Sequence, residues 1–122
     1  RQTMSHAQMQ TYVNVDYSQV LSIVGLIGPA GKGKIIAEAR YVRHKDKPFG
    51  DIAFIVDEEY NGAGIATYMY RLLTRLAKER GLHGFTANVL ARNTGMMKVF
   101  EKEGKMKAKM EGGEYELTIL FD

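Results

Sequence analysis

The sequence predicts an α+β fold, a mixed sheet carrying helices, in one chain of 122 residues. Three observations carry that expectation. Apolar runs of strand length, rich in β-branched residues, recur along the chain. A long amphipathic stretch separates two of them and makes a β-α-β crossover. The last two runs flank Gly112-Gly113, the punctuation of a hairpin. A chain of this size buries about two-thirds of its unfolded surface and forms one domain. Its 45% apolar and 25% charged residues exclude a disordered polymer.

In order, residues 1–19 are polar, short of branched aliphatics, and read as a lead-in without a strand to a domain at 20–122. Val20–Ile27 (VLSIVGLI) is the first strand, closed by the turn composition of Gly28 to Gly33. Residues 35–42 (IIAEARYV) form the second, with Glu38 and Arg40 on one face at period two. A charged loop with Pro48 leads to residues 52–56 (IAFIV), a continuous apolar run of the kind a strand buried on both faces requires. Residues 64–80 place Ile65, Met69, Leu72, Leu73 and Leu76 on one helical stripe, with Arg75, Lys78, Glu79 and Arg80 on the polar side and Gly81 as the stop. Residues 85–90 (FTANVL) are a strand. Asn93 opens a second helix with Met96, Met97, Val99 and Phe100 on its apolar side, ending at Gly104. Residues 105–110 and 115–121 complete the order β-β-β-α-β-α-β-β. The crossover makes its two strands parallel; the short loops make the others antiparallel.

Composition narrows the chemistry. The chain has no cysteine, which excludes a disulfide scaffold, a cysteine nucleophile and thiolate-bound metal, and fits a cytoplasmic setting. His6, His44 and His83 stand far apart with no carboxylate at ligand spacing, so no metal site is expected. The net charge of +3 permits an anionic ligand without demanding one. No basic stripe interleaved with aromatics points to nucleic acid, and no apolar run approaches the roughly 18–20 residues that span a bilayer. The seven methionines read as core filler. Tyr41, Tyr60 and Tyr68 read either as the border of a channel or as half-buried surface. Lys102, Lys105, Lys107 and Lys109 read as a solvated face or a phosphate contact.

The informative stretch is Asp57-Glu58-Glu59-Tyr60-Asn61-Gly62-Ala63-Gly64-Ile65-Ala66-Thr67, where a strand ends, a glycine turn follows and a helix begins. Unpaired N–H groups and a positive dipole end meet there, and the small residues let an anion approach the backbone. A diphosphate fits this geometry. So does a plain strand-to-helix turn that uses glycine for its dihedrals. A Rossmann fingerprint fails at Thr67, and no Gly-Lys-Ser/Thr completes a P-loop.

The segment Asn61-Gly62-Ala63-Gly64-Ile65-Ala66 resembles motif A of the GNAT superfamily of N-acetyltransferases, Q/R-x-x-G-x-G/A. The strand ahead of it, the strand behind its helix, and Asn93 to Gly104, similar to N-x-x-M/A-x-x-x-Y/F-x-K-x-G, extend the likeness over residues 12–122. Val15-Asp16-Tyr17 and Ile36 to Tyr41 look closest to bacterial protein lysine acetyltransferases of the Pat type, domains often appended to CoA-handling enzymes. The resemblance implies the acyl-CoA N-acyltransferase fold with its first strand and first helices absent. This chain would then be the C-terminal fragment of a longer protein. It also implies an open edge on Val20–Ile27, with three ways to answer it: a homodimer, an edge covered by residues 1–19, or a weak acceptor site.

The resemblance further implies acetyl transfer from acetyl-CoA to an amine, a protein lysine, by direct attack in a ternary complex. The alternative is a catalytically weak acyl-CoA-sensing domain that regulates a larger CoA-processing enzyme. Acetyl-CoA would lie where the fourth and fifth family strands splay. Backbone groups of Phe54, Ile55 and Val56 would pair with the pantetheine arm, and N–H groups of Gly62, Ala63, Gly64, Ile65, Ala66 and Thr67, with Asn61 in the usual Gln/Arg place, would cradle the diphosphate. Asn93 would touch the pantetheine from the second helix. Asp51 stands where Pat-type enzymes carry their basic glutamate; it is either that base or a solvated aspartate. Glu38 is a second candidate base or the partner of Arg40 in a salt bridge. Pairing residue 42 with 51 puts Glu38, Arg40 and Asp51 on one face, and a slip of one residue reverses that. Phe100 replaces the tyrosine that many relatives use as the acid for the leaving thiolate.

Overall fold

A computed structural model describes residues 9–122 apart from 17, 30, 31, 61, 63 and 103. Seven strands form one mixed sheet: β1 (Gln10–Asp16), β2 (Val20–Ile27), β3 (Lys34–Arg43), β4 (Phe49–Val56), β5 (Gly84–Leu90), β6 (Lys105–Glu111) and β7 (Glu114–Leu120). Helix α1 (Ile65–Glu79) joins β4 to β5, and α2 (Thr94–Glu101) joins β5 to β6. The spatial order is β1-β2-β3-β4-β5-β7-β6. Only β4 and β5 pair in parallel; every other neighbouring pair is antiparallel.

The α+β class and the parallel crossover match the expectation, and the element order gains one strand. Residues 10–16 pair with β2 along its length, from Gln10 opposite Leu26 to Asp16 opposite Val20. The expected absence of a first strand is therefore corrected, and of the three outcomes expected for the β2 edge, covering by the lead-in is the one observed. The strand left no trace in the hydropathy pattern for a physical reason. Both of its faces are solvated and only Thr11 is half-buried, so burial imposes no alternation on its residues.

Both helices cover one face of the sheet. Leu21, Ile23, Ala37, Ala39, Tyr41, Ile52, Phe85, Ala87, Val89, Leu117 and Ile119 point into that layer and are buried. Ile65, Met69, Tyr70, Leu73 and Ala77 of α1, with Val99 and Phe100 of α2, meet them. An aromatic cluster ties the layers: Tyr70 and Phe100 stand edge to face at 5.2 Å, and Phe54 and Phe85 each lie 6.0 Å from Tyr70. Tyr70 was missing from the expected stripe, because tyrosine reads as half-polar in a helical pattern. Leu72 and Leu76 pack at the margin of the same core. Tyr41 belongs to this core and not to an acceptor channel; burial pushes its phenol above the usual tyrosine range.

The other face is open. The run at 52–56 does not lie buried on both sides: Ile52 is buried, whereas Ala53 and Ile55 turn outward, Ile55 to 68% exposure. Tyr12, Val42, Leu90 and Leu120 share that exposed face. The C-terminal hairpin forms as the sequence implies. Glu111 faces Glu114 across Gly112 and Gly113, both at positive φ, the two-residue turn whose twist suits a hairpin.

Covering one face and leaving the other open makes unequal demands on apolar residues. Leu73→Ala, at a fully buried position, is expected to cost about 2–5 kcal/mol in urea unfolding. Ile55→Thr, on the open face, is expected to change stability by no more than about 0.5 kcal/mol.

Candidate active site at the strand splay

Strands β4 and β5 touch over three pairs only: Phe49–Gly84, Gly50–Phe85 and Asp51–Thr86. Beyond Thr86 they part. Each has a full antiparallel partner on its other side, β3 for β4 and β7 for β5, paired over seven residues. Each pair follows its own twist, so the two diverge from the short seam and leave a notch. The seam is tight because position 84 is glycine. A Cβ there would stand 2.2 Å from the Ile119 carbonyl oxygen and 2.7 Å from the Phe49 ring.

Backbone polarity in the notch follows from register. His44 N–H donates to the Phe49 carbonyl, and Asp57 N–H donates to that of Ile36, at the two ends of an unbroken β3–β4 ladder. Antiparallel pairs alternate between bonded and non-bonded, so Asp51, Ala53 and Ile55 spend their main-chain groups on β3. Phe54 and Val56 turn theirs toward the notch, past the last β4–β5 pair. Of the three residues expected to meet a pantetheine arm, Phe54 and Val56 have the required direction. Ile55 is corrected: its backbone is committed to Glu38 of β3.

After β4 the chain makes one 3₁₀ turn, Glu58–Tyr60. Asp57 braces it. Its Oδ1 accepts from the Glu59 N–H at 3.0 Å, and its Oδ2 lies 3.3 Å from the Lys34 ammonium. The Glu59 N–H, helped by Lys34, holds the Asp57 carboxyl below the usual carboxylate range, and Asp57 in turn raises Lys34. Gly62 and Gly64 both sit at φ 80°, left-handed backbone that glycine adopts without strain. Gly64 is the N-cap of α1 and, having no side chain, makes no side-chain cap hydrogen bond. The first intrahelical bond runs from Tyr68 N–H to the Gly64 carbonyl at 3.0 Å. The N–H groups of Ile65, Ala66 and Thr67 therefore have no partner within the helix, and no acidic residue in the first turn offsets the dipole. Ile65 contributes backbone only, since its side chain is buried. Asn61 and Ala63 lie outside the described residues.

Asp51 stands at the vertex, on the open face. Thr86 Oγ1 donates to Asp51 Oδ1 at 2.8 Å, and His44 Nε2 lies 3.0 Å from the same hydroxyl. The register Val42–Asp51 is the one that puts Glu38, Arg40 and Asp51 on one face. Glu38 nevertheless sits opposite Ile55, four residues along β4 from Asp51, or about 13 Å at strand rise. The two carboxylates cannot share one proton, and Asp51 alone is at the vertex. Among the described residues Glu38 and Arg40 form no ion pair. Asn93 is the N-cap of α2, its Oδ1 accepting from the Met96 N–H at 3.2 Å, which leaves its amide nitrogen for a ligand. Phe100 is buried against Tyr70 and Phe54 and brings no proton donor to the notch.

Thr86 and His44 are the residues that sequence reasoning missed. Thr86 lies in a recognised strand and shares the outward parity of Asn88 and Leu90. The 42–51 register, once drawn, also carries His44 to the face of Asp51. Among the described residues no group of three His, Asp or Glu side chains is placed to hold a metal ion.

A parallel seam that parts after three pairs, followed by a glycine turn that opens a helix, is the arrangement of the acyl-CoA N-acyltransferase fold. Residues 8–104 match the acetyltransferase (GNAT) family, and the chain belongs to that family. It is 28% identical over 110 residues to acetyltransferase Pat of Mycolicibacterium smegmatis, covering 89% of this chain and 32% of that protein. The GNAT domain of PAT from S. lividans superposes with a TM-score of 0.75 at 27% identity, over 88% of this chain and 64% of that one. A cAMP-binding acyltransferase from Mycobacterium smegmatis gives 0.72 at 30% identity, over 86% and 33%. The chain thus spans about a third of the curated relative and under two-thirds of the solved domain.

The Asp57 brace has a pH signature. A carboxyl held below its ordinary value of 3.8 stabilises the fold above that pH, and the contribution fades as pH falls through the folded-state value. Asp57→Asn should therefore be less stable than the parent near pH 7, with the gap narrowing as pH falls below 3.8 in urea titrations.

Proposed function

We propose that this chain is the acetyl-CoA-binding part of an N-acetyltransferase that transfers the acetyl group to an amine, the side chain of a protein lysine. One observation carries the reading. The unpaired β4 edge at Phe54 and Val56, the uncapped first turn of α1 and the vertex carboxylate of Asp51 lie along one notch. The residues fit the ligand: an extended amide-bearing arm suits a strand edge, and a diphosphate suits free N–H groups at a helix start.

The steps follow from the chain's own groups. A lysine ammonium, with an ordinary pKa near 10.4, is not a nucleophile until it loses a proton. Asp51 accepts that proton. The amine attacks the thioester carbonyl, and a backbone N–H on the free edge of β4 steadies the developing oxyanion. The sulfur departs as thiolate, because Phe100 has no proton to give, and the nitrogen releases its remaining extra proton to solvent as the amide forms. That same buried phenylalanine favours a second reading, a domain that senses acyl-CoA with little turnover. The cytoplasm, a membrane-free setting without nucleic acid, and a homodimer through the remaining β1 edge complete the proposal; Tyr12, Val13 and Val15 leave that edge apolar.

Calorimetric titration with CoA and acetyl-CoA separates these readings from a structural domain: no heat at millimolar ligand would sink both. Turnover of a lysine peptide, followed by thiol release, separates the enzyme from the sensor. Asp51→Asn is expected to lower kcat by about 10²–10⁴. Gly64→Val is expected to abolish CoA binding and, at φ 80°, to cost about 1–2 kcal/mol while circular dichroism stays native. Undiminished affinity in that variant would refute the diphosphate cradle.

A further inference from the structure

The hydrogen-bond chain at the vertex has a direction. Thr86 Oγ1 lies 2.8 Å from Asp51 Oδ1 and 3.0 Å from His44 Nε2. An ionised carboxylate has no proton to give, so the single hydroxyl proton of Thr86 goes to Asp51. The hydroxyl oxygen then accepts from His44, which must carry its proton on Nε2. Three elements supply the chain. His44 follows β3, Asp51 is on β4 and Thr86 is on β5, separated in sequence by 42 residues from His44 to Thr86 and by 35 from Asp51 to Thr86. Only the seam brings them together, at its last pair, Asp51–Thr86.

An exposed aspartate otherwise samples several rotamers. Here one oxygen, Oδ1, is held by a charge-assisted hydrogen bond across the seam, and that leaves Oδ2 for chemistry. The geometry points to His44 and Thr86 as positioning residues for Asp51. His44 orients the Thr86 hydroxyl, the hydroxyl fixes Oδ1, and Oδ2 takes the proton from the acceptor amine. The inference rests on the reading of Asp51 as the base. In the step an N–H bond of the acceptor ammonium breaks and an O–H bond forms at Oδ2; His44 and Thr86 neither gain nor lose a proton. A relay that passed the proton on to His44 would need the opposite tautomer.

The test has two arms. The first needs no substrate. A ¹H–¹⁵N spectrum of the imidazole region near pH 8, with His44 assigned by its loss in His44→Gln, is expected to show an exchange-protected proton on Nε2. Thr86→Val is expected to lose that signal. A ring proton on Nδ1 in the parent, or a protected Nε2 proton that survives in Thr86→Val, would overturn the inference. The second arm follows acetyl transfer from acetyl-CoA to a lysine-containing peptide. Thr86→Val and His44→Ala are each expected to lower kcat about tenfold with the KM for acetyl-CoA unchanged. Their combination should be no slower than Thr86→Val alone, because the two act in series. Thr86→Ser, which restores the hydroxyl, and His44→Gln, whose amide N–H replaces the ring donor, should recover most of the rate. Full turnover in Asp51→Asn would remove the base assignment itself. Loss of turnover in Asp51→Asn with normal rates in Thr86→Val and His44→Ala would leave Asp51 in place and refute the positioning role. If the peptide is not acetylated by the parent, the spectrum decides.

Discussion

Among the described residues, three pairs between β4 and β5 are the only strand pairing between the β1–β4 half of the sheet and the β5–β7 half. Backbone hydrogen bonds contribute about 0.5–1.5 kcal/mol each, so the seam alone holds the halves weakly. The crossover through α1 and the aromatic cluster of Phe54, Tyr70, Phe85 and Phe100 supply the rest, because they reach both sides. This division of labour lets the strands stay apart beyond Asp51 without the molecule splitting. The core bears the load on the helical face while the strand edges on the notch remain unused.

Everything proposed for the site depends on that geometry. A longer seam would consume the main-chain groups of Phe54 and Val56. A shorter one would separate Asp51 from Thr86. The brace at Asp57 lies where β4 hands the chain to the glycine turn that leads into α1. Much of the site is therefore backbone. Side-chain identity matters most at the vertex, where a carboxylate, a hydroxyl and an imidazole from three elements converge.

What the sequence made legible was whatever burial writes into it. The α1 stripe and the Gly-Gly hairpin follow from periodicity and turn chemistry, and both are present; the 42–51 register is one of two that alternation leaves open, and it is the one observed. β1 was illegible because neither of its faces is buried. The run at 52–56 reads as doubly buried, yet its apolar residues also occupy an open face, and composition does not say which side a layer covers. Ile55 reads as a ligand neighbour beside Phe54 and Val56, because neighbouring residues carry no hydrogen-bond parity until the β3 register fixes it. Thr86 and His44 escaped for a different reason. Their contact spans 42 residues of chain and depends on the parallel seam, so no local pattern announces it.

The open face on which Asp51 lies has a consequence for how such a domain changes its substrate. Under the proposed function, acetyl-CoA would be read from within the notch, largely by main chain, whereas the amine would approach the carboxylate from the uncovered side. Any layer laid over Tyr12, Val42, Ile55 and Leu90 would then become a wall on the acceptor side. Donor and acceptor recognition are thus physically separable. A new cover, whether a segment of the same chain or a partner, can redirect the chemistry to another amine while every residue that handles the acyl group stays as it is.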